Sequence, residues 1–164
     1  MKLIWLALLM VAGCGAPVVT DGQGYRDTKA LIGATSRFDA ERFKGPWIMR
    51  GAFALDAPAR VALVDSTGGP AFQLCDHAGE CEVLWLATAK GQGRYALTRP
   101  NGATRDLWVL WVDEGFRTAV VGNPAGEFGW ILDRNPTGGN DRIKAAQEIL
   151  DFNGYDLGQL RMRK

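Results

Sequence analysis

Glu82-Val83-Leu84-Trp85-Leu86-Ala87-Thr88-Ala89, then Lys90-Gly91-Gln92-Gly93, then Arg94-Tyr95-Ala96-Leu97-Thr98-Arg99 is the stretch that decides the fold. Two short apolar runs flank a glycine-rich turn, which is the pattern of a β-hairpin. Within each run the charged residue marks one face. Glu82 leaves Val83, Trp85 and Ala87 on the other face, and Arg94 leaves Tyr95 and Leu97 there. A repeat of two with one polar face describes an antiparallel strand half-buried on a core, whereas an amphipathic helix would repeat near 3.6.

The same grammar recurs on both sides. Runs rich in Val, Leu, Trp and Phe fall at 47–54, 60–65, 71–75, 107–113, 116–122 and 128–134, separated by turn clusters such as Ser66-Thr67-Gly68-Gly69-Pro70 and Gly122-Asn123-Pro124-Ala125-Gly126. With the central hairpin this makes eight short strands, so the chain reads as an all-β barrel or sandwich. Arg50 assigns Trp47, Met49, Gly51 and Phe53 inward, Arg117 assigns Phe116, Thr118 and Val120, and Asp133 assigns Trp130 and Leu132. Residues 107–112 are apolar on both faces, so something must cover their outer side. The candidate is a helix over 140–152, with Ile143, Ala146, Gln147, Ile149 and Leu150 near one face, Asn140 as its cap and Gly154 as its stop. A last strand is expected over 157–162. There is no internal repeat and no second domain boundary.

The N-terminus reads as an address. Lys2 precedes an apolar run from Leu3 to Ala12, too short for the ~20 residues that cross a bilayer as a helix, and Val11-Ala12-Gly13-Cys14 follows with small residues before a cysteine. Those four residues resemble the lipobox of bacterial lipoproteins, which implies a signal peptide at 1–13, a lipidated Cys14 and a tether over 14–36. By the same resemblance Gly15 implies sorting to the outer membrane of a Gram-negative cell, with the barrel domain (37–164) facing the periplasm. Loss of 1–13 takes Lys2 with it and leaves eighteen basic and eighteen acidic residues. So neutral a body lacks the basic face that nucleic-acid binding uses, and no nucleic-acid partner is expected.

Export fixes the reading of Cys75 and Cys81, which bracket the polar turn Asp76–Glu80. In an oxidising compartment they are expected to form a disulfide across a hairpin tip. A metal site from Cys75, His77 and Cys81 would lack a fourth ligand and the usual C-x₂₋₄-C spacing, so no metal and no cofactor are expected. His77 is the sole histidine, has no Ser or Thr beside it, and offers no triad. Carboxylate pairs such as Asp113-Glu114 fall in turns. The chain does not read as an enzyme. Arg161, Arg163 and Lys164 form a small, solvated basic terminus.

Arg37-Phe38-Asp39-Ala40-Glu41-Arg42-Phe43-Lys44-Gly45-Pro46-Trp47 resembles the first motif of the lipocalins, and Phe116–Val121 with Gly129-Trp130-Ile131-Leu132-Asp133-Arg134 resembles their second and third. The resemblance, which with the lipobox is to the bacterial lipoprotein group, implies an eight-stranded antiparallel up-and-down β-barrel, a C-terminal helix packed outside it and a short closing strand. Gly45, Trp47 and Arg134 would then be scaffold, with Arg134 packed across Trp47. Met49, Phe53, Val83, Trp85, Tyr95, Leu97, Phe116, Val120 and Trp130 would line a cavity for a small hydrophobic ligand such as a fatty acid or lysophospholipid. Ile48-Met49 depart from the Tyr-Glu that the bacterial group carries, which removes an inward carboxylate. The alternative is a barrel with no ligand cavity that docks a protein through its Cys75–Cys81 tip.

Overall fold

The computed structural model describes residues 24–163. The signal segment, the lipobox-like residues and Cys14 lie outside the described residues. Eight strands run antiparallel in chain order: β1 (Gly45–Ala52), β2 (Arg60–Ser66), β3 (Gly69–Cys75), β4 (Cys81–Gly91), β5 (Arg94–Thr98), β6 (Thr104–Val112), β7 (Thr118–Gly122) and β8 (Gly129–Asp133). Each pairs with its sequence neighbours, and β1 pairs with both β2 and β8, so the sheet closes into an up-and-down barrel. A short helix α1 (Ala40–Phe43) precedes β1, and α2 (Asn140–Phe152) lies outside the barrel against β6, β7 and β8. A 3₁₀ turn (Leu157–Gln159) leads to β9 (Arg161–Met162), which pairs with Gly51 and Ala52 of β1.

Two apolar layers result. The barrel interior holds Trp47, Met49, Phe72, Trp85, Tyr95, Leu97, Leu107, Val109 and Trp130 among others. The outer layer, between sheet and α2, joins Leu110, Val120 and Ile131 to Ile143, Ala146 and Leu150 of the helix, with Trp108 and Trp111 packed against it. The helix therefore covers the strand that is apolar on both faces. Its first turn is fixed by charge: Thr118 donates to Asp133, and Arg142 donates to Thr118 at 2.8 Å. Gly139, in the left-handed region at φ 67°, occupies the cap position with no side-chain bond, so the capping role expected of Asn140 is not realised.

Two parity assignments are corrected. The β1–β8 register shifts between Met49 and Gly51. The extra residue of this β-bulge turns the rest of the strand over. Met49 and Ala52 face inward, while Phe53 joins the outer layer and stacks on Tyr155. Similarly, Phe116 sits in a turn at φ 55°, so the alternation does not carry across it. Phe116 packs inward, but on β7 the inward residues are Ala119 and Val121, and Val120 lies beneath α2. Residues 24–36, read as part of a tether, are strapped to the barrel. Arg26 donates to the carbonyls of Asn153, Pro124 and Ala30, and Thr35 N–H donates to Val109 O.

The lower end is sealed by one side chain. The Arg134 guanidinium lies 3.7 Å from the Trp47 ring centroid and donates to the carbonyls of Pro46 (2.8 Å), Arg42 (2.9 Å) and Lys44 (2.9 Å). It thereby ties the end of β8 to α1 and the start of β1. Arg134→Met keeps an apolar stem over Trp47 but loses the ring attraction and the fork of donors. It is expected to lower unfolding free energy by about 3 kcal/mol in urea titrations followed by circular dichroism. A loss below ~1 kcal/mol would show that the clamp contributes little.

Next to it, Asp113 organises the turn into β7 by accepting from the amides of Gly115, Arg117 and Thr118 and from the Arg117 side chain. Burial pushes the Asp113 pKa up, but these donors together pull it below the ordinary carboxylate value. A lowered folded-state pKa gives stability that is present above the unfolded value, near 3.9, and is lost as pH falls below it. Asp113→Asn should therefore destabilise the barrel at neutral pH and flatten the acid limb of the stability–pH curve below about pH 4. An unchanged acid limb would remove Asp113 from that role.

Candidate functional site

The interior is not evenly filled. From the lower end upward, Trp47, Phe43, Phe38, Tyr95 and Phe72 form a continuous aromatic column, with successive ring centroids 4.9 Å, 5.3 Å, 5.8 Å and 5.5 Å apart. Phe38 enters from the segment before α1, beneath Gly93, whose positive φ (66°) lets the β4–β5 turn close over it. Burial in this column pushes the Tyr95 phenol pKa up. Below Phe72 the interior is lined by the side chains of this column with Met49 and Val109.

Above Phe72 it opens into a bowl of about 650 Å³. Phe72, Trp85, Leu97, Leu107, Phe128 and Trp130 make its apolar wall, with Phe128 and Trp130 in ring contact at 4.6 Å. The strand alternation delivers Trp85, Leu97, Leu107 and Trp130, each on the inward face of a different strand. The rim comes from the loops. Ala54–Pro58 lies between β1 and β2, Asp76 and Glu80 between β3 and β4, Arg99 and Arg105 about the β5–β6 connection, and Glu127 between β7 and β8. Tyr25 adds the N-terminal strap.

Charge is concentrated on that rim. The Arg99 guanidinium lies 4.5 Å over Trp85, and Arg105 lies 5.5 Å from both Trp85 and Phe128 while pairing with Glu127 at 3.1 Å. Cations over aromatic faces hold both partners in place. The bowl is thus lined by aromatic rings with guanidinium groups over them and by the acidic residues Asp56, Asp76, Glu80, Glu82 and Glu127.

One wall of the mouth is bound firmly to the helix end. The Tyr155 hydroxyl accepts from Asn123 N–H (3.0 Å), and its one proton is within reach of Phe128 O (2.9 Å) and Asn123 O (3.2 Å). Burial holds its pKa up at about 12. Gly122 and Gly129 leave the room for that ring, since a Cβ at either would collide with it. The opposite wall is the β3–β4 hairpin, where Cys75 and Cys81 face each other in register and form the expected disulfide.

Of the residues read as cavity lining, Trp85, Leu97 and Trp130 come together in the bowl. Met49, Tyr95 and Phe116 belong to the packed core below it, and Phe53 and Val120 lie outside the barrel wall. Val83 stands on β4 opposite Gln73. Phe72, Leu107, Phe128, Arg99 and Arg105 were missed. Strand 71–75 carries no charge to set its parity, and the two arginines stand at strand ends, where alternation says nothing. The docking alternative supposed a barrel without a cavity; the bowl is present, and the Asp76–Glu80 tip forms part of its rim. Among the described residues no cluster of His, Cys, Asp and Glu is arranged to hold a metal ion.

Residues 86–164 match the family model of the lipocalin-like domain. Over 57 residues, 35% of this chain, the sequence is 33% identical to temperature-induced lipocalin-1 of Arabidopsis thaliana, and the match covers 31% of that protein. The bovine lipocalin allergen Bos d 2 superposes with a TM-score of 0.52 over 76% of this chain and 94% of its own, at 17% identity. Apocrustacyanin C1 gives 0.54 over 74% and 76%, at 12% identity. The fold is that of the lipocalins, and the sequence matches support the same family.

Closing the short Cys75–Cys81 loop contributes about 2 kcal/mol on the chain-entropy model. The Cys75→Ser/Cys81→Ser pair is expected to lose that amount in urea unfolding under oxidising conditions and nothing under reducing conditions. Equal losses in both would assign the effect to packing instead.

Proposed function

We propose that this chain is a lipocalin that holds one small hydrophobic ligand in the bowl at the barrel mouth, as a carrier or store rather than as an enzyme. The observation behind this is the bowl itself. Its volume of about 650 Å³ lies within the ~300–1,000 Å³ of ordinary ligand pockets, and it joins an apolar part built by Phe72, Trp85, Leu97, Leu107, Phe128 and Trp130 to a charged part that holds Arg99 and Arg105, which suits an amphiphile. The apolar body of a fatty acid or lysophospholipid would pack on Trp85, Leu97, Leu107 and Trp130. Its anionic head would meet Arg99, the rim guanidinium that stacks on Trp85. In this reading Cys14 carries the lipid anchor, and the barrel works at the periplasmic face of an outer membrane.

The aromatic column limits how deep a ligand can go. Each added CH₂ contributes about 0.8 kcal/mol, roughly fourfold in affinity, only while there is apolar wall to bury it. Affinity should therefore climb with acyl length and then level off once the chain reaches Phe72.

Titration of palmitate and lysophosphatidylcholine, followed by tryptophan fluorescence, is expected to saturate near one equivalent, since Trp85 and Trp130 line the bowl. Trp85→Ala should weaken binding about tenfold or more, as the loss of one large aromatic contact face. Phe53→Ala and Val120→Ala, outside the barrel wall, should leave affinity unchanged wherever the barrel stays folded. No saturable response, or equal affinity in Trp85→Ala, would refute the bowl as the binding site.

A further inference from the structure

Residue order groups Arg163 with Arg161 and Lys164 as solvated cations, yet Arg163 is half-buried against the β1–β2 loop. Its guanidinium donates to Ala57 O at 2.6 Å and to Pro58 O at 2.8 Å, and its own N–H donates to Arg50 O. Ala57 and Pro58 line the bowl together with Ala54 and Asp56. Arg163 thus reaches that wall from outside the bowl.

The strand pairing explains why this wall needs a hold. β1 runs beside β2 only from Gly45 to Ile48, where Ile48 faces Arg60. Higher up, Gly51 and Ala52 pair with Met162 and Arg161 of β9 instead. The β1–β2 loop therefore bridges a place where the two strands have parted. Its ends are fixed. Phe53 stacks on both Tyr25 and Tyr155, and Ala59 accepts from Met49 N–H and donates to Cys75 O. Between those ends, among the described residues, Arg163 is the one side chain that hydrogen-bonds to the loop backbone. The other walls have holds of their own: the Cys75–Cys81 disulfide clips the β3–β4 hairpin, and the Tyr155 hydroxyl ties the β7–β8 loop.

We propose that Arg163 is a positioning residue for the ligand: its fork of donors holds Ala57 and Pro58 where they close one side of the bowl, although it touches no ligand itself. This rests on the bowl being the binding site of the proposed function. A guanidinium suits the task, because its fixed N–H groups meet two successive carbonyls, a geometry that one ammonium does not reproduce. Without the fork the loop is free to leave its place, and apparent affinity falls with the fraction of molecules that still hold it closed. What changes is a wall near the mouth. The apolar wall toward Phe72 stays, so the gain in affinity per CH₂ stays with it, and the charge of the head group is immaterial to the loss.

The test compares the full chain with Arg163→Met and Arg163→Lys, titrated with palmitate, with uncharged monopalmitoylglycerol and with saturated fatty acids of increasing length. Tryptophan fluorescence reads the binding. Arg163→Met is expected to lose about fivefold or more in affinity for palmitate and for monopalmitoylglycerol alike. Its plot of affinity against acyl length should shift down with unchanged slope and level off at the same length. Arg163→Lys, which keeps the charge without the fork, should recover at most part of the loss, and it carries the test where the methionine variant does not fold. Hydrogen–deuterium exchange should quicken in 54–59 and stay unchanged in 45–48 and 118–121. A loss for palmitate alone, or full recovery in Arg163→Lys, would mean that Arg163 acts through its charge. An altered slope, or faster exchange throughout, would mean that the whole barrel has loosened. Either result overturns the proposal, as does unchanged affinity in both variants, which would leave the bowl as the site and remove Arg163 alone. If the unaltered chain binds neither palmitate nor monopalmitoylglycerol, the bowl is refuted as the site and the positioning role falls with it.

Discussion

The contact of Arg134 with Trp47 decides what kind of container this barrel is. Its guanidinium spends three donors on carbonyls at the join between α1 and β1 and lays its face on the indole. With the lower end shut in this way, Phe43 and Phe38 have a base to stack on, and Tyr95 and Phe72 complete the column above them. The free space is then displaced to the other end, where loops, not strands, set its chemistry. A barrel blocked by a chain of aromatic rings is less a tube than a cup on a packed aromatic stem.

The outside of the barrel obeys a second constraint. Strands β6 to β8 are apolar on both faces because α2 covers them, and the cover is positioned by Thr118, Asp133 and Arg142 at one end and by Asn153 and Tyr155 at the other. Asp133 is wholly buried, yet its carboxylate accepts from Thr118 and faces Arg142, so its charge is compensated. The helix therefore fixes the mouth as well as the wall, since its last turn is tied to the loop that carries Glu127 and Phe128.

Much of this was readable from residue order, and the failures have local causes. Arg94 placed Tyr95 and Leu97 correctly because the β5–β6 register runs unbroken. Asp133 did the same for Trp130 and Leu132. Trp85 and Ala87 do face inward, but a register shift lies between Val83 and Trp85, and Glu82, read as the outward marker, lines the bowl. Arg50 misled about Phe53 because a bulge intervenes. Arg117 misled about Val120 because it stands just before β7, held in the turn by Asp113, so its charge marks no face of the strand. The cup itself was only partly legible. Inward orientation can be counted along a strand, but depth cannot, so Met49 and Trp130 looked equivalent although one lies in the stem and the other in the wall. Arg99 and Arg105 act through rings on other strands, a relation that exists only once the barrel has closed.

The strap formed by Arg26 has a consequence for how the molecule comes into being. Its side chain is anchored on Pro124 and Asn153, 98 and 127 residues further along the chain. The Arg134 clamp likewise joins the two ends of the barrel sequence. Contacts of such separation form only after the costs of closing very long loops have been met, which slows folding. As the chain is synthesised from its N-terminus, the hairpins β2–β3 and β4–β5 can assemble early. The lower seal cannot form until Arg134 has emerged, nor the strap until Asn153 has. Until β8 is made, β1 lacks the partner that closes the sheet into a vessel.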